Sequence, residues 1–485
     1  MKVQKPSEGC IRKSEENLPK VINLGGVSMK NQPKTSFYLI LFASSFFLFY
    51  GCPDDEPCTT CPPNGQSTVQ LTLDYVECKE VWLKLSFTDA NQPRGYAILR
   101  DGNQILSGTL LTTDTLLIDT TTVAGHDYTY TAQRLGSASS GNGSSALDSS
   151  TPLSVRTLDS TSHTIQWHVD TLGAQGVIRD VWIFDRNNAW AVGEIYLKDS
   201  NGHIDMGHPY GAAHWNGDSW SLLKLPAQAP TYISNLIPTG IFAFAENDIW
   251  MISGGVHRFN GDSITNSYWI NPFPGNPNPI LSSGQTAEKL WGVSERNLYA
   301  VGRGGGIAYF NGSSWTKMTS NTTVDLQDIY GLDENHIWAI GTNSDHNGTV
   351  ILSFNGARWN NLYEGNQYGF SSVWIQSGER LTIAGDSGPW KYDLRTRSFI
   401  QMATSSSYVM FCVCGTDAND VFFTGQHSEI THFNGSTYYL YQNIQSLTET
   451  NVWWNTLKVK EDFIVVGGSY YNGLYSAPII LRGYR

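Results

Sequence analysis

Asp328–Tyr363 reads DIYGLDENHIWAIGTNSDHNGTVILSFNGARWNNLY. Four short runs stand out in it: Ile329–Leu332, Ile337–Gly341, Val350–Phe354 and a fourth that begins at Trp359. Each is apolar, β-branched or aromatic at alternate positions, which is the pattern of a half-buried strand. Asp-Glu-Asn, Gly-Thr-Asn and Asn-Gly punctuate them as turns. The stretch therefore reads as one small antiparallel sheet.

The same unit recurs along the chain. Its second strand reappears as AWAVG (Ala189–Gly193), IWMISG (Ile249–Gly254), LYAVG (Leu298–Gly302), IWAIG (Ile337–Gly341), LTIAG (Leu381–Gly385), VFFTG (Val421–Gly425) and FIVVG (Phe463–Gly467). The third strand ends in HWNG, RFNG, YFNG, SFNG, KYDL, HFNG and LRG at the matching distances. Four strands in a repeat of ~45 residues define a propeller blade, and the ladder predicts seven-fold repetition. Asn-Gly between third and fourth strands would supply the positive φ of a two-residue hairpin. The aromatic residue of each second strand is placed to pack between neighbouring blades. The last repeat stops at its third strand, APIILRGYR, while a spare strand, Thr164–Leu172 (TIQWHVDTL), precedes the first. Bare strand edges are avoided in proteins, so residues 164–172 are expected to complete the last blade, with 164–170 pairing along 477–483.

LWGVSERNLYAVGRGGGIAYFNGSSW and CGTDANDVFFTGQHSEITHFNGSTY resemble bacterial propeller repeats of uncharacterised role, of the form VWG…NDVWAVG…HYNGSSW. The resemblance covers roughly 174–485. It implies the fold and leaves function open, because one fold hosts many activities.

At 485 residues, with 47 Gly, 12% aromatic and 15% charged residues, the composition suits many short strands joined by tight turns. The formal charge is −12. Without residues 1–51, which hold seven Lys/Arg and three Asp/Glu, 24 basic stand against 40 acidic side chains, a net −16. Such a surface repels a phosphate backbone, so no nucleic-acid partner is expected.

Phe37–Tyr50 (FYLILFASSFFLFY) is an apolar run of 14 residues behind Lys30 and Lys34, and Gly51-Cys52 follows it. A bilayer span needs ~20 residues; a basic flank and a short apolar run read instead as an export signal. The signal region is expected at 1–51, with the true start of the chain at Met29. Gly51-Cys52 resembles the lipobox of bacterial lipoproteins, and Asp54-Asp55-Glu56 resembles the surface-export tag of the Bacteroidetes group. That likeness implies lipidation of Cys52, a membrane anchor and a place on the outer membrane or cell surface. Residues 53–68 form a Pro- and Thr-rich tether. Cys58 and Cys61 within it suit either a small disulfide or a metal, although no second pair of suitable spacing completes a zinc site. Cys412 and Cys414 alternate on one strand face and read as core thiols.

Between 69 and 157 lie VQLTLDYVEC, EVWLKLSF, RGYAILRDGNQIL, DTLLIDT, HDYTYTAQRL and TPLSVRTLD, short alternating strands that predict a β-sandwich. Trp82 on the second strand, Tyr96 on the third and Tyr128 with Tyr130 on the penultimate one resemble a fibronectin type III domain, a spacer or adhesive module. The full expectation is all-β: a fibronectin type III-like sandwich at 69–157, then a seven-bladed β-propeller at 163–485.

Catalytic signatures are weak. NGSSW (311–315) and NGDSW (216–220) approach the Asp box of sialidases but lack its Asp, and no Gly-x-Ser-x-Gly, His-Glu-x-x-His or phosphate loop occurs. Gly302–Gly306 (GRGGG) leads into a strand and reads as a turn. The irregular feature is Glu194–Gly211, an insertion carrying Glu194, Tyr196, His203, His208 and Tyr210. Its Asp199, Asn201 and Asp205 place hard oxygens as a calcium loop does, while Asp/Asn-Gly is also ordinary turn chemistry. Equivalent loops bring Arg303, Asp345, His346, Asp386, His427, Glu429, Tyr470 and Tyr471, and the connections between repeats add Trp453 and Trp454. Aromatics beside carboxylates and amides suit a sugar, whose apolar face stacks on a ring; the same aromatics also suit blade packing. The leading expectation is a monomeric, membrane-anchored binding or scaffold protein for a glycan or surface protein, needing no cofactor unless calcium. A glycosyl hydrolase or transferase working through facing carboxylates, and a structural envelope adhesin, are the rivals.

Overall fold

The computed structural model describes residues 68–88, 94–136, 146–230, 232–344, 347–377, 380–386, 388–402, 408–448, 452–471 and 476–485. The signal region, Cys52, Cys58, Cys61, the tether up to residue 67, Asp345 and His346 lie outside them. The chain divides into two compact units, Met1–Asp159 and Ser160–Arg485.

In the first unit a three-stranded sheet (Val69–Val76, Val81–Phe87, Asp114–Asp119) accompanies a five-stranded one that includes Arg94–Arg100, Asn103–Leu110 and Asp127–Leu135. Alternate residues of both sheets, among them Leu83, Leu85, Tyr96, Ile98, Leu117, Tyr128 and Tyr130, share one core. This is a β-sandwich. Trp82 lies outside that core: strand alternation turns it away, and it is buried with Leu116 and Ile118 on the other face of the three-stranded sheet. Its indole N–H donates to Glu80 at 3.0 Å.

Among the described residues the second unit holds seven four-stranded antiparallel sheets. Their first strands are Gln175–Asp185, Gly240–Ala245, Lys289–Ser294, Asp328–Asp333, Phe370–Trp374, Met410–Asp417 and Val452–Lys460. Each first strand lies against the first strand of the next sheet, and Val452–Lys460 lies against Gln175–Asp185. Hydrophobic cores sit between successive sheets. Trp190 of the first meets Phe259 of the second, Trp250 of the second meets Phe310 of the third, and Tyr299 of the third meets Phe354 of the fourth. Ile178 and Ala191 of the first share a core with Phe463, Val465 and Ile480 of the seventh. This is the organisation of a β-propeller. The outermost strand of the seventh sheet is Gln166–Thr171, antiparallel to Ser476–Tyr484 with Thr171 opposite Ile479 and Gln166 opposite Tyr484.

The repeated glycine has a packing reason. At Gly193, Gly302, Gly341, Gly385 and Gly425 an added Cβ would run into a backbone carbonyl, that of Val177, Thr286, Asp325, Gly369 and Val409 respectively. The chain entering each first strand crosses directly over the second. By register the same position in the seventh sheet is Gly468, which faces the Trp453 carbonyl, rather than Gly467. In the second sheet it is Ser253, and Gly254 lies in a turn at φ +66°. The Asn-Gly corners also differ from a two-residue hairpin. Asn216, Asn260, Asn311, Asn355 and Asn434 each accept N–H groups two and three residues on. They form four-residue loops in which the glycine takes positive φ, +84° at Gly356 for example. Asp393 does the same without a glycine after it.

Candidate functional site

The crossing chain just described bulges. Register slips occur between Ile178 and Asp180, Phe370 and Ser372, Met410 and Cys412, and Trp454 and Thr456. A bulge re-aims the extra residue, here Arg179, Ser371, Phe411 and Asn455. Beside this rim lies an open depression of about 510 Å3, lined by Gln175, Gly176, Val177 and Arg179 of the first sheet, its Glu194, and Trp453, Asn455, Ser469, Tyr471 and Ser476 of the seventh. Trp453 is 49% exposed and Tyr471 52% exposed. Trp453 leans on Phe411, ring centroids 5.9 Å apart. Arg179 is exposed and, among the described residues, has no hydrogen bond or ion pair from its guanidinium. Glu194 accepts the Tyr196 hydroxyl at 2.7 Å, and that bond, with burial, pushes the Tyr196 phenol up to about 12.

Three of the residues expected from sequence, Glu194, Trp453 and Tyr471, thus share one depression, with Tyr196 supporting Glu194 from behind. The others are dispersed. Trp454 is fully buried between the sixth and seventh sheets, because alternation along its strand sends it inward as Trp453 goes out. Glu429 is buried too, so neither offers a ligand its side chain. Tyr470 is half-buried against the same core as Trp454. Arg303 pairs with Glu288 at 2.7 Å on a short 3-10 turn, where the GRGGG segment makes its corner. The Asp386 carbonyl accepts the Trp390 indole N–H, and His427 packs against Tyr408 with the rings tilted by 46°. Tyr210 takes the Lys224 ammonium at 5.3 Å from its ring centre.

In the insertion, Asp199 accepts the backbone N–H of Asn201 and His203, while Asp205 accepts that of Gly207 and lies 2.8 Å from His208 Nδ1. These carboxylates fasten their own loop. Among the described residues no group of three or more His, Cys, Asp or Glu is placed to hold a metal ion.

None of the residues expected from sequence to bind a ligand lines the centre of the propeller unit. A channel of about 320 Å3 is lined by all seven first strands. The residue opposite the one preceding the repeat glycine is Asp180, Lys289, Asp328, Ser372, Cys412 or Thr456 in sheets one, three, four, five, six and seven. These polar side chains tie sheet to sheet. Asp180 accepts Lys289 Nζ at 2.9 Å, Thr456 Oγ1 at 2.9 Å and the Ile241 N–H at 3.2 Å. Burial alone would raise the Asp180 pKa, but Lys289 and Lys458, with those hydrogen bonds, hold it below the usual carboxylate range. Asp328 accepts the Ser372 hydroxyl at 2.7 Å and the Val373 N–H at 3.0 Å. Two residues further along each strand stand Trp182, Phe242, Trp291, Tyr330, Trp374, Cys414 and Lys458. Cys412 and Cys414 are free thiols that belong to the core between the sixth and seventh sheets, as expected, and also line this channel; burial pushes Cys412 up to about 11. Lining up the seven first strands by their repeat glycines would have exposed this pair of rings.

The fold and the depression define a β-propeller with an open, aromatic-edged surface feature. No family model and no curated protein matches the chain. Solved structures similar to it include YCF48 bound to D1 peptide, 13% identical, covering 66% of this chain and 95% of that one at a TM-score of 0.48. The WD40 propeller domain of Doa1 is 12% identical, over 66% of this chain and 97% of that one, at 0.42. The extracellular domain of a one-component system from B. thetaiotaomicron is 11% identical, over 65% of this chain and 40% of that one, at 0.45.

Proposed function

We propose that this chain is an extracytoplasmic binding protein, lipid-anchored through Cys52 at the outer membrane or cell surface and acting as a monomer. Its fibronectin type III-like sandwich is the spacer. Its seven sheets are the blades of one ring, closed where Gln166–Thr171 joins Ser476–Tyr484. The ligand is a glycan, taken by the depression between the first and seventh sheets. One observation carries this reading: Trp453 and Tyr471 present about half their surface to solvent beside Arg179, Glu194 and Asn455. Exposed rings are costly to leave bare and suit the apolar face of a pyranose, while the polar groups around them suit its hydroxyls. A binding role is preferred to glycoside hydrolysis because that chemistry uses two facing carboxyl groups, and Glu194 is the one carboxylate among the described residues lining the depression. The calcium loop at Asp199, Asn201 and Asp205 stays a secondary proposal, one that isothermal titration with Ca2+ decides.

The test is a glycan array probed with the chain from residue 53 onward, against a Trp453→Ala and Tyr471→Ala double variant. Saturable binding of a saccharide by the first and not by the second supports the reading. Binding by neither leaves an adhesive or protein-binding role. For the anchor, metabolic acyl labelling of the full chain and of Cys52→Ala decides; equal labelling of both would remove it.

A further inference from the structure

The channel holds an ammonium group that, among the described residues, no hydrogen bond engages. Lys458 lines it from the seventh sheet, standing with Trp182, Trp291, Tyr330 and Trp374 in the ring beyond the polar one. Among the described residues its ammonium makes no hydrogen bond and no ion pair; the contact it has is with the Trp182 ring, 6.0 Å from centroid to Nζ. Lys289, one ring away, shows what a satisfied lysine looks like here, with Asp180 at 2.9 Å. The remaining carboxylate, Asp328, is already taken by the Ser372 hydroxyl and by the N–H groups of Val373 and Ile329. The Cys412 thiol, raised by burial, carries no charge near neutral pH and offers Lys458 no counter-ion. Asp180 and Asp328 act on this ammonium through space and keep it charged, but neither reaches it with a hydrogen bond, and the walls around it are aromatic.

We infer that the channel is a second binding site, adjoining the glycan depression only at Asn455, for a small ligand that carries one carboxylate on an apolar body, with Lys458 receiving the carboxylate. The volume, about 320 Å3, falls within the roughly 300–1,000 Å3 of small-molecule pockets. The rings accept the body by stacking or edge contact. The ammonium supplies the single charge-assisted hydrogen bond that selects an anion over its neutral isostere. Lys289 does not compete, since leaving Asp180 would strand a buried carboxylate.

Benzoate and benzamide, equal in shape and different in charge, are the probes. Isothermal titration of the purified full chain should show benzoate binding at least about tenfold more tightly than benzamide, a difference of ~1.4 kcal/mol. Lys458→Met should lose that preference and Lys458→Arg should keep it. Circular dichroism melting establishes that each variant is folded. Benzoate binding no tighter than benzamide in the unaltered chain, no binding of either, or full benzoate affinity in a folded Lys458→Met would overturn the inference. Trp453 does not itself line the channel, so Trp453→Ala should bind benzoate unchanged whatever the glycan array shows.

Discussion

Asp170 and Arg482, 312 residues apart, hold one another by two bonds, Nε to Oδ2 at 2.5 Å and Nη2 to Oδ1 at 3.1 Å. The guanidinium lies over Trp215 of the first sheet, 3.8 Å from its ring centre, and the Trp220 indole N–H donates to the same Asp170 carboxylate. One residue from the start of the propeller unit, one from its end and two from the first sheet therefore meet at a single point. The pair is largely shielded, with side chains 24% and 13% exposed. Removing one partner strands the other. Asp170→Ala is expected to lower the stability of the propeller transition by about 2–3 kcal/mol, discounted for the remaining exposure. In urea unfolding followed by tryptophan fluorescence, a loss under about 0.5 kcal/mol would mean that the joint is held by strand pairing alone.

Trp453 and Trp454 are neighbours with opposite duties. Trp454→Ala removes a fully buried indole from the core between the sixth and seventh sheets, and a cost of about 3–5 kcal/mol follows from the cavity. Trp453→Ala should cost under about 1 kcal/mol and abolish saccharide binding. Thermal melts with a glycan titration separate the two effects; a large stability loss from Trp453→Ala would make that side chain structural and remove the reason for placing a sugar on it.

The propeller architecture was legible because it is written in local chemistry repeated many times: a strand pattern, an aromatic, a glycine. The glycine's purpose was not legible, since it depends on a carbonyl about 16 residues upstream crossing over it. For the site, exposure decided what sequence could not. Tyr470 reads as a face residue, yet it is half-buried against the core that holds Trp454. Arg179 and Asn455 were invisible because a bulge, which breaks the two-residue period, is what turns them to the rim. Lys289 and Lys458 sit in strands that otherwise look apolar, and only the ring they share gives them meaning.

His257 makes stability depend on pH. It is fully buried, donates Nε2–H to the Ser253 carbonyl at 3.1 Å and accepts the Ser267 hydroxyl at Nδ1, 2.9 Å away. Burial lowers its pKa to about 4, against ~6.5 in an unfolded chain. Below 6.5 the unfolded chain takes up a proton that the folded one refuses, so stability falls with pH until about 4 and levels off there, by roughly 3 kcal/mol in all. His163, His214 and His432, also lowered chiefly by burial, act in the same sense. His257→Asn should be less stable at pH 7 and show a shallower loss between pH 7 and 5. Equal slopes in the two proteins would show that His257 does not carry this dependence.

Gly341 tests the reason for the repeat. Its φ is not in the left-handed region, so backbone freedom is not what the position requires. What it requires is space, because a Cβ there would collide with the Asp325 carbonyl and crowd the Gln327 N–H. The Asp325 stretch cannot retreat freely: the Asp325 N–H donates to Asn343, and the Gln327 N–H donates to the Ile340 carbonyl at 2.8 Å. Gly341→Ala must therefore part the crossing chain from the second strand, with an expected loss of about 2–3 kcal/mol, within the range for overpacking a fixed core. Gly202→Ala is the matched control. It lies at φ +82° with open space around it, so its cost, about 1 kcal/mol, comes from backbone conformation alone. If chemical denaturation ranked Gly202→Ala as the more damaging of the two, the crossing-strand account of the repeated glycine would fail.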